Sequence, residues 1–326
     1  MVMTSSLTIR QADPADRPAV VELCRAALGW SSGGVDEQFF AWKHDENAFG
    51  ASPCWLAEED GRLLGVRAFM RWRFRDLDGS IVEAVRAVDT ATHPDAQGRG
   101  IFTKLTLGAL PDLRAMGTDF VFNTPNEKSR PGYLKMGWGT VGRVPVAVRP
   151  TSPGSLQRMT GARVGASKWS EASDVGLPAT EAFADEGEVG LALERDRPRT
   201  GICTDHSPAT LRWRYGFEPL RYRVFPLGDR LANGMIVFRV RRRGTATELT
   251  ICDVVAPPRS KLRRSLVGLG RKTGADFTLV AGGTGWRDGF VPAPPLGPIL
   301  TWKPIRRIGV PAMGDLSLTL GDVELF

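Results

Sequence analysis

One stretch of the chain constrains its fold more than any other. Residues 88–104 read VDTATHPDAQGRGIFTK: a short β-prone run ends at Pro94, a loop rich in glycine follows, and a helical pattern begins at Ile101. Glycines let a backbone approach an anion closely, and the amides of a loop and of a first helical turn point outward at the positive end of the helix dipole. This order of elements predicts an anion cradle for a pyrophosphate-bearing cofactor, to which Arg99 would add a cation.

The cradle does not match the two most common phosphate-binding motifs. A P-loop requires Gly-Lys-Ser/Thr after a four-residue gap, and the dinucleotide fingerprint requires three glycines, whereas this loop has only Gly98 and Gly100. Gln97 and Gly100 instead form a Gln-x-x-Gly pattern, which resembles the pyrophosphate loop of the GCN5-related N-acetyltransferases, the GNAT superfamily. Phe102 departs from the family pattern, where a small residue is usual. The tandem acetyltransferases of the Eis type also carry a bulky residue there, so Phe102 points to that subgroup.

A second segment resembles a later motif of the same superfamily. Residues 121–138 read VFNTPNEKSRPGYLKMGW, in which Asn126, Ser129 and Tyr133 have the family spacing and Trp138 replaces a phenylalanine. The gap between the two motifs suits one helix and one strand. The resemblance implies that the Asn126 side chain orients the cofactor and that the Tyr133 hydroxyl lies near the thioester sulfur, where it would protonate the departing thiolate.

The resemblance also implies a cofactor and a set of binding residues. Acetyl-CoA would be the acyl donor, its pantetheine arm paired with the strand backbone before the loop and its pyrophosphate held by the loop and the first helical turn. The cofactor-binding residues expected on this basis are Thr90, Ala91, Thr92, Gln97, Gly98, Arg99, Gly100, Ile101, Phe102, Thr103 and Asn126.

The general base is left open by the sequence. Asp89 lies on the strand that leads into the loop, where a carboxylate could accept the amine proton directly or through water. The alternative is a structural residue that binds a neighbouring loop. Because Eis-type enzymes use their terminal carboxylate as a base, Asp322, Glu324 and the carboxylate of Phe326 are rival candidates. His93, next to a proline in the loop, is interpreted as structural.

Hydrophobic periodicity predicts the elements of the first half of the chain. Apolar and arginine residues alternate strictly over residues 70–75, as in a strand with one buried face. Pro111 lies inside the helix that follows the cradle, so this helix either bends or stops near Ala109. The predicted strands are 7–12, 54–58, 63–74, 81–92 and 120–122. The predicted helices are one that follows an N-cap within residues 13–16, one that includes residues 39–42, and one that begins at Ile101.

The second half of the chain repeats this order. Strands are predicted at 235–240, 248–255 and 277–281, with a helix over 260–272, and Cys252-Asp253 aligns with Val88-Asp89. The predicted fold is therefore α/β (α+β): tandem GNAT folds, each a mixed, mostly antiparallel central sheet flanked by helices. The second copy lacks the glycines, and Pro257-Pro258 removes two amide donors from its loop, so we interpret it as degenerate.

These patterns suggest a domain organisation. Residues 1–150 form a catalytic GNAT domain, 151–205 a linker or irregular segment rich in glycine, serine and threonine, 206–310 a degenerate GNAT-like domain and 311–326 a tail. The degenerate copy would wall the acceptor cleft and stabilise the first.

Composition excludes several other classes of protein. The four cysteines have long, irregular spacings that indicate neither a zinc site nor a disulfide framework, and the sequence shows no apolar run of membrane-spanning length and no signal peptide. We therefore expect a cytoplasmic protein without a metal or a membrane partner. The net charge of +7 would suit nucleic acid or an acidic ligand such as CoA. The alternation over residues 70–75 favours the second, because a nucleic-acid platform needs aromatic and basic residues on one face.

The expected function is N-acyl transfer from acetyl-CoA to an amine of a small molecule or a peptide. Two alternatives stay open: an acyl-CoA-binding regulatory module without turnover, and an acetyltransferase similar to mycothiol synthase. The acceptor, the acyl-chain preference and the oligomeric state are also left open.

Overall fold

The computed structural model describes residues 6–30, 34–162, 164–196, 201–255, 259–282, 289–307 and 309–324. These residues divide into two compact units. The first unit comprises residues 1–74, 80–141 and 300–311, and the second comprises 75–79, 142–299 and 312–326. Each unit contains a mixed sheet flanked by helices, which confirms the predicted fold class.

The strands have the following bounds: β1 (Thr8–Gln11), β2 (Cys54–Glu59), β3 (Arg62–Arg75), β4 (Ile81–Thr92), β5 (Phe120–Asn123), β6 (Gly139–Arg143), β7 (Val146–Pro150), β8 (Leu177–Pro178), β9 (Cys203–Thr204), β10 (Arg223–Pro226), β11 (Met235–Arg243), β12 (Ala246–Val255), β13 (Phe277–Ala281), β14 (Val291–Pro292) and β15 (Ile299–Pro304).

The helices have the following bounds: α1 (Arg17–Leu28), α2 (Val35–His44), α3 (Ile101–Gly108), α4 (Leu110–Ala115), α5 (Arg130–Lys135), α6 (Pro153–Met159), α7 (Ala179–Ala182), α8 (Glu186–Arg195), α9 (Pro208–Tyr215), α10 (Arg259–Lys272) and α11 (Leu320–Val323). Among the described residues, no helix combines the length and the apolar character needed to cross a bilayer.

The first sheet has the strand order β1-β2-β3-β4-β5-β15-β6. Its central pair, β4 and β5, is parallel, while β1–β2, β2–β3 and β5–β15 are antiparallel. The alternation predicted for β3 is confirmed, because Met70, Trp72 and Phe74 are buried and the arginines between them reach solvent. One face of the sheet packs against α3 and the other against α1 and α2, so that two cores enclose β4.

The helix after the glycine loop stops where the sequence predicts. Helix α3 ends at Gly108 and α4 begins at Leu110. Pro111 then lies in the first turn of α4, where a missing amide proton breaks no intrahelical bond. The amide of Ala109 still donates to the Leu105 carbonyl at 3.3 Å. Residues of both helices pack against the same hydrophobic core.

The second sheet has the order β14-β7-β13-β12-β11-β10-β8 and repeats the central arrangement of the first. Strands β12 and β13 are parallel, as β4 and β5 are, and β12 carries a bulge opposite Val237 and Phe238. The second sheet therefore repeats the parallel pair of the first, in agreement with the repeated order of elements in the sequence. Pro257 and Pro258 lie outside the described residues, and their effect on the loop that follows β12 stays a prediction.

The segment over residues 151–205 is more ordered than its composition predicts. It contains helices α6, α7 and α8, and α8 begins with Asp185, whose side chain accepts from the Glu188 amide. Phe183, Val189 and Ala192 are fully buried. The small and polar residues between these anchors hide their helical spacing in a single sequence, because helices this short give weak periodicity.

Gly65 on β3 sets the distance between the sheet and α3. A Cβ atom at this position would lie 2.5 Å from Cγ2 of Ile101 and 3.0 Å from Cδ1 of Leu105. We expect Gly65→Val to lower the free energy of unfolding by about 1–3 kcal/mol, because overpacking forces α3 off the sheet. Urea denaturation measures the change. Gly108→Ala is the control: its Cβ would meet only Ile9 at 3.8 Å, so stability should hold or rise, and an equal loss in both variants would contradict this packing.

Candidate functional site

Strand β4 extends beyond the residues that pair with its parallel neighbour, β5. The paired residues extend from Ala84–Phe120 to Arg86–Phe122, while β4 itself continues to Thr92. Two strands that separate in this way leave the backbone of one of them without a neighbour on that side, and unpaired backbone groups need another partner. The last residues of β4 accordingly form the wall of a cleft.

The cleft has a volume of about 590 Å³. Its walls come from the end of α1, the last residues of β4, the glycine loop, the start of α3 and the turn before α5. Many of its lining residues were predicted from the sequence: Thr90, Ala91, Thr92, Gln97, Gly98, Gly100, Ile101 and Phe102. Ser129, which belongs to the second sequence motif, also lines the cleft. Five further lining residues were not expected from the sequence: Ala27, Leu28, Ala96, Lys128 and Gly132.

The glycine loop is shaped as an open cradle. Gly98 and Gly100 adopt left-handed backbone conformations, with φ of 78° and 73°, and a Cβ atom on either would meet nothing within 4 Å. Gly100 is also the N-cap of α3, so the first amides of this helix follow directly. Among the described residues that line the cleft, Lys128 is the only charged one. The cradle thus combines free amides, a helix N-terminus and one cation around open space.

Arg99 does not contribute its side chain to this cradle. Its guanidinium makes a bidentate ion pair with Glu59, with N–O distances of 2.6 and 2.9 Å. It also falls outside the described residues that line the cleft, as does Thr103. The positive charge predicted at this position is therefore paired with Glu59 on β2. Arg99 contributes only its backbone to the loop.

Two other predicted residues act as caps. The Asn126 side-chain oxygen accepts from the amides of Lys128 and Ser129, at 3.1 and 2.9 Å, and so orders the turn before α5. His93 likewise accepts from the Asp95 amide at 3.2 Å, in line with its structural interpretation. A direct contact between Asn126 and a cofactor stays a prediction, whereas its effect on the position of Lys128 follows from the geometry.

Phe102 is accommodated by a glycine on the opposite side of the cleft. Its ring lies edge-on to Tyr133, with ring centres 5.4 Å apart. A Cβ atom on Gly132 would lie 3.3 Å from Cε1 of Phe102, which is tighter than ordinary van der Waals contact. The bulky residue at 102 and the absence of a side chain at 132 are therefore complementary.

Asp89 occupies a strained position at the bend of β4. Its φ of 43° is left-handed, which is uncommon for any residue except glycine and is better tolerated by aspartate than by most. The carboxylate forms an ion pair with the Lys43 ammonium and lies 2.8 Å from Nε2 of His44, both at the end of α2. These contacts fasten the bend of β4 to α2.

The electrostatics of this cluster bear on the candidate base. Burial alone would raise the pKa of Asp89, but the charge of Lys43 and the His44 hydrogen bond outweigh it and hold that pKa well below its usual range. Burial lowers the pKa of His44 more than Asp89 raises it, so His44 is neutral, and its Nδ1 atom has no hydrogen-bond partner among the described residues. A carboxylate so strongly stabilised in its charged form is a weak proton acceptor.

Tyr133 is held by a buried arginine. Its hydroxyl accepts from Nη2 of Arg67 at 2.6 Å, and both side chains are almost fully buried. Tyr133 is not among the described residues that line the cleft, but Phe102, which does line it, packs against its ring. The role of Tyr133 in proton transfer stays a prediction.

The rival bases near the C-terminus lie in the second unit and are engaged there. Glu324 binds the guanidinium groups of Arg239 and Arg241, each at 2.8 Å. Burial would raise its pKa, but the two arginines lower it to about 2. Asp322 accepts from the Thr204 hydroxyl at 2.5 Å and is also buried. Both carboxylates serve the packing of this unit, and Phe326 lies outside the described residues.

Sequence comparison identifies the first unit. Residues 8–141 match the family model described as an acetyltransferase (GNAT) domain. The chain therefore carries a GNAT domain, and the resemblance seen in the two motifs is confirmed. A comparison with curated protein sequences found no match.

Solved structures share the fold over most of the chain. A probable N-acyltransferase from Enterococcus faecalis V583 has a TM-score of 0.65 at 12% identity and covers 92% of this chain and 73% of its own. A GCN5-related N-acetyltransferase from Kribbella flavida has a TM-score of 0.61 at 14% identity, with coverage of 94% and 73%. Eis1 from Mycobacterium abscessus has a TM-score of 0.52 at 18% identity, with coverage of 84% and 65%. At these identities the likeness concerns the fold, and it extends over both units.

The state of His44 predicts a pH dependence of stability. In the unfolded chain a histidine takes up a proton near pH 6.5, whereas folded His44 resists protonation because its pKa is lowered. As the pH falls through this range the unfolded state binds more protons, so the free energy of unfolding must fall. We expect His44→Gln to show a shallower decline between about pH 7.5 and about pH 5.5. Urea denaturation across this range measures both slopes, and identical slopes would contradict the assignment.

Proposed function

We propose that this chain is an N-acyltransferase that moves an acetyl group from acetyl-CoA to an amine of a small molecule or a peptide. The observation that carries the proposal is the continuity of one cleft. The free edge of β4 over residues 90–92 leads directly into the open glycine cradle at Gly98 and Gly100. A long ligand with a hydrogen-bonding arm and an anionic group at one end suits this shape.

The cradle passes a physical test for a diphosphate. The space in front of Gly98 and Gly100 is open where a side chain would otherwise stand, so a phosphate can reach the loop amides. Lys128 adds a positive charge to a lining that contains no other charged side chain among the described residues. The volume of about 590 Å³ is in the range of small-molecule sites.

Each element has a separate task in the proposed reaction. The amides from Gly98 to Phe102 and the ammonium of Lys128 hold the diphosphate, while the backbone of residues 90–92 orients the pantetheine arm. The thioester supplies an activated acetyl group. As the amine nitrogen bonds to the carbonyl carbon and the carbon–sulfur bond breaks, Tyr133 donates its hydroxyl proton to the departing sulfur and is reprotonated from water.

The amine proton is released without a carboxylate in the cleft. The described lining residues include neither an acidic side chain nor a histidine, and Asp89 is committed to Lys43 and His44. We propose that the amine arrives neutral and that, after it attacks the carbonyl carbon, its nitrogen loses one proton to water. Asp89 then acts on the reaction by fixing the bend of β4.

Blocking the cradle tests the cofactor assignment. Gly100→Glu places bulk and negative charge in the open space, in a left-handed conformation that side chains disfavour, so acetyl-CoA affinity should fall by at least about 100-fold. Gly108→Glu adds the same charge at the exposed far end of α3 and should leave affinity within about threefold of the parent. Calorimetric titration with acetyl-CoA measures both. Unchanged affinity in Gly100→Glu would refute the cradle.

Removing the Tyr133 hydroxyl tests the proton donor. Tyr133→Phe keeps the ring contacts with Phe102 and Trp138 but deletes the proton, so thiol release from acetyl-CoA on an amine panel should slow by about 100-fold or more while acetyl-CoA affinity stays the same. Undiminished turnover would remove Tyr133 from the mechanism. If the parent protein binds acetyl-CoA but releases no thiol with any amine, the chain is a binding module.

A further inference from the structure

Arg67 is a buried arginine next to the proposed proton donor, and the desolvation of its charge is a free-energy cost that packing does not explain. Arg67 lies on β3 with 1% of its surface exposed. Its Nε atom is buried without a hydrogen-bond partner, and within the part of the chain that the structure describes no carboxylate forms an ion pair with it. An unpaired cation inside a core is strongly unfavourable, and buried charges are normally paired.

The surroundings of Arg67 are aromatic. Its guanidinium carbon lies 4.9 Å from the ring centre of Phe69, 5.6 Å from that of Phe102 and 5.4 Å from that of Tyr133. Cation–π contacts of this kind offset part of the cost of burial. The one charge-assisted hydrogen bond described for this side chain runs from Nη2 to the Tyr133 hydroxyl, at 2.6 Å.

This hydrogen bond determines what the tyrosine can do. The guanidinium has only donors, so the phenolic oxygen must accept, and the single hydroxyl proton of Tyr133 is left to point elsewhere. When that proton is given away, negative charge develops on the oxygen that faces the guanidinium, and a fixed cation in a site of low dielectric stabilises such charge well. The same cation stabilises a thiolate that forms beside the hydroxyl.

We propose that Arg67 is a positioning residue that presents the Tyr133 proton and stabilises the charge left behind when it is transferred. This inference depends on the proposed function, in which Tyr133 protonates the departing sulfur. In the ground state Tyr133 is neutral and offers the guanidinium no negative charge. In the transition state negative charge develops on the tyrosine oxygen, and the inference assigns Arg67 the task of stabilising it.

The first experiment is a double-mutant cycle on turnover. We expect Arg67→Met to lower kcat by about 10- to 100-fold, as for a charged hydrogen bond, with little change in KM for acetyl-CoA. Arg67→Lys, which keeps the charge, should recover part of the loss. In a Tyr133→Phe background Arg67→Met should cause no further loss, because the group on which it acts is gone. Arg73→Met, which removes a half-exposed cation from the same strand, is the control and should leave kcat unchanged.

The outcomes separate the two proposals. If Tyr133→Phe is inactive and Arg67→Met is fully active, the role of Arg67 is refuted and the proposed function stands. If Tyr133→Phe is fully active, the proton-donor role itself fails. If the losses from Arg67→Met and Tyr133→Phe multiply, Arg67 acts independently of the tyrosine and the inference is wrong.

Two measurements without turnover exclude a merely structural role. The thermal midpoint of Arg67→Met should equal or exceed that of the parent, because an unpaired buried charge is replaced by an apolar side chain of similar length. In addition, affinity for CoA relative to desulfo-CoA should rise in the parent between about pH 7 and about pH 9, as the free thiol ionises, and this rise should be smaller in Arg67→Met. A lower thermal midpoint, or an equal rise in both proteins, would overturn the inference.

Discussion

The separation of β4 from β5 after the Arg86–Phe122 pair is the constraint on which the rest of the site depends. A parallel sheet that closed over its full length would bury the backbone of residues 90–92 in a ladder and leave no cleft. Three residues after the last pair, Asp89 has a left-handed backbone conformation, and Lys43 and His44 hold its carboxylate against α2. Backbone strain of this kind persists only where surrounding contacts enforce it, and it is concentrated at functional sites.

The charged groups around the cleft are distributed unevenly between its lining and the core beside it. The cradle relies on backbone amides and one lysine, and its nearest arginine is neutralised by Glu59. Two charged side chains outside the lining have structural roles: Arg67 is fully buried and Asp89 is partly buried. Backbone amides cannot rearrange or titrate, which suits a permanent anion site. A buried cation suits charge that appears only during the reaction.

The motifs and elements around the site were within reach of sequence analysis because they depend on local chemistry. The glycines at 98 and 100, the bounds of β4 and the helix break at Pro111 all follow from backbone preference and periodicity. The fate of particular side chains was not. The Arg99 side chain is engaged by Glu59 and the Asn126 oxygen by the turn before α5, whereas the contacts of both residues with a cofactor stay predictions. Their partners are set by strand pairing and loop geometry, which one sequence does not encode locally.

By itself the sequence determined the two motifs, the repeated order of elements and therefore the fold class. The physical reason is that glycine conformation, proline restriction and hydrophobic period act over a few neighbouring residues. Only the tertiary structure decided that Gly132 makes room for Phe102, that Lys43 and His44 hold the Asp89 carboxylate, and that Arg67 meets the Tyr133 hydroxyl. The members of each set lie far apart along the chain. They come together only when helices α3 and α5 pack on one face of the sheet and α2 on the other, and burial then strengthens each contact.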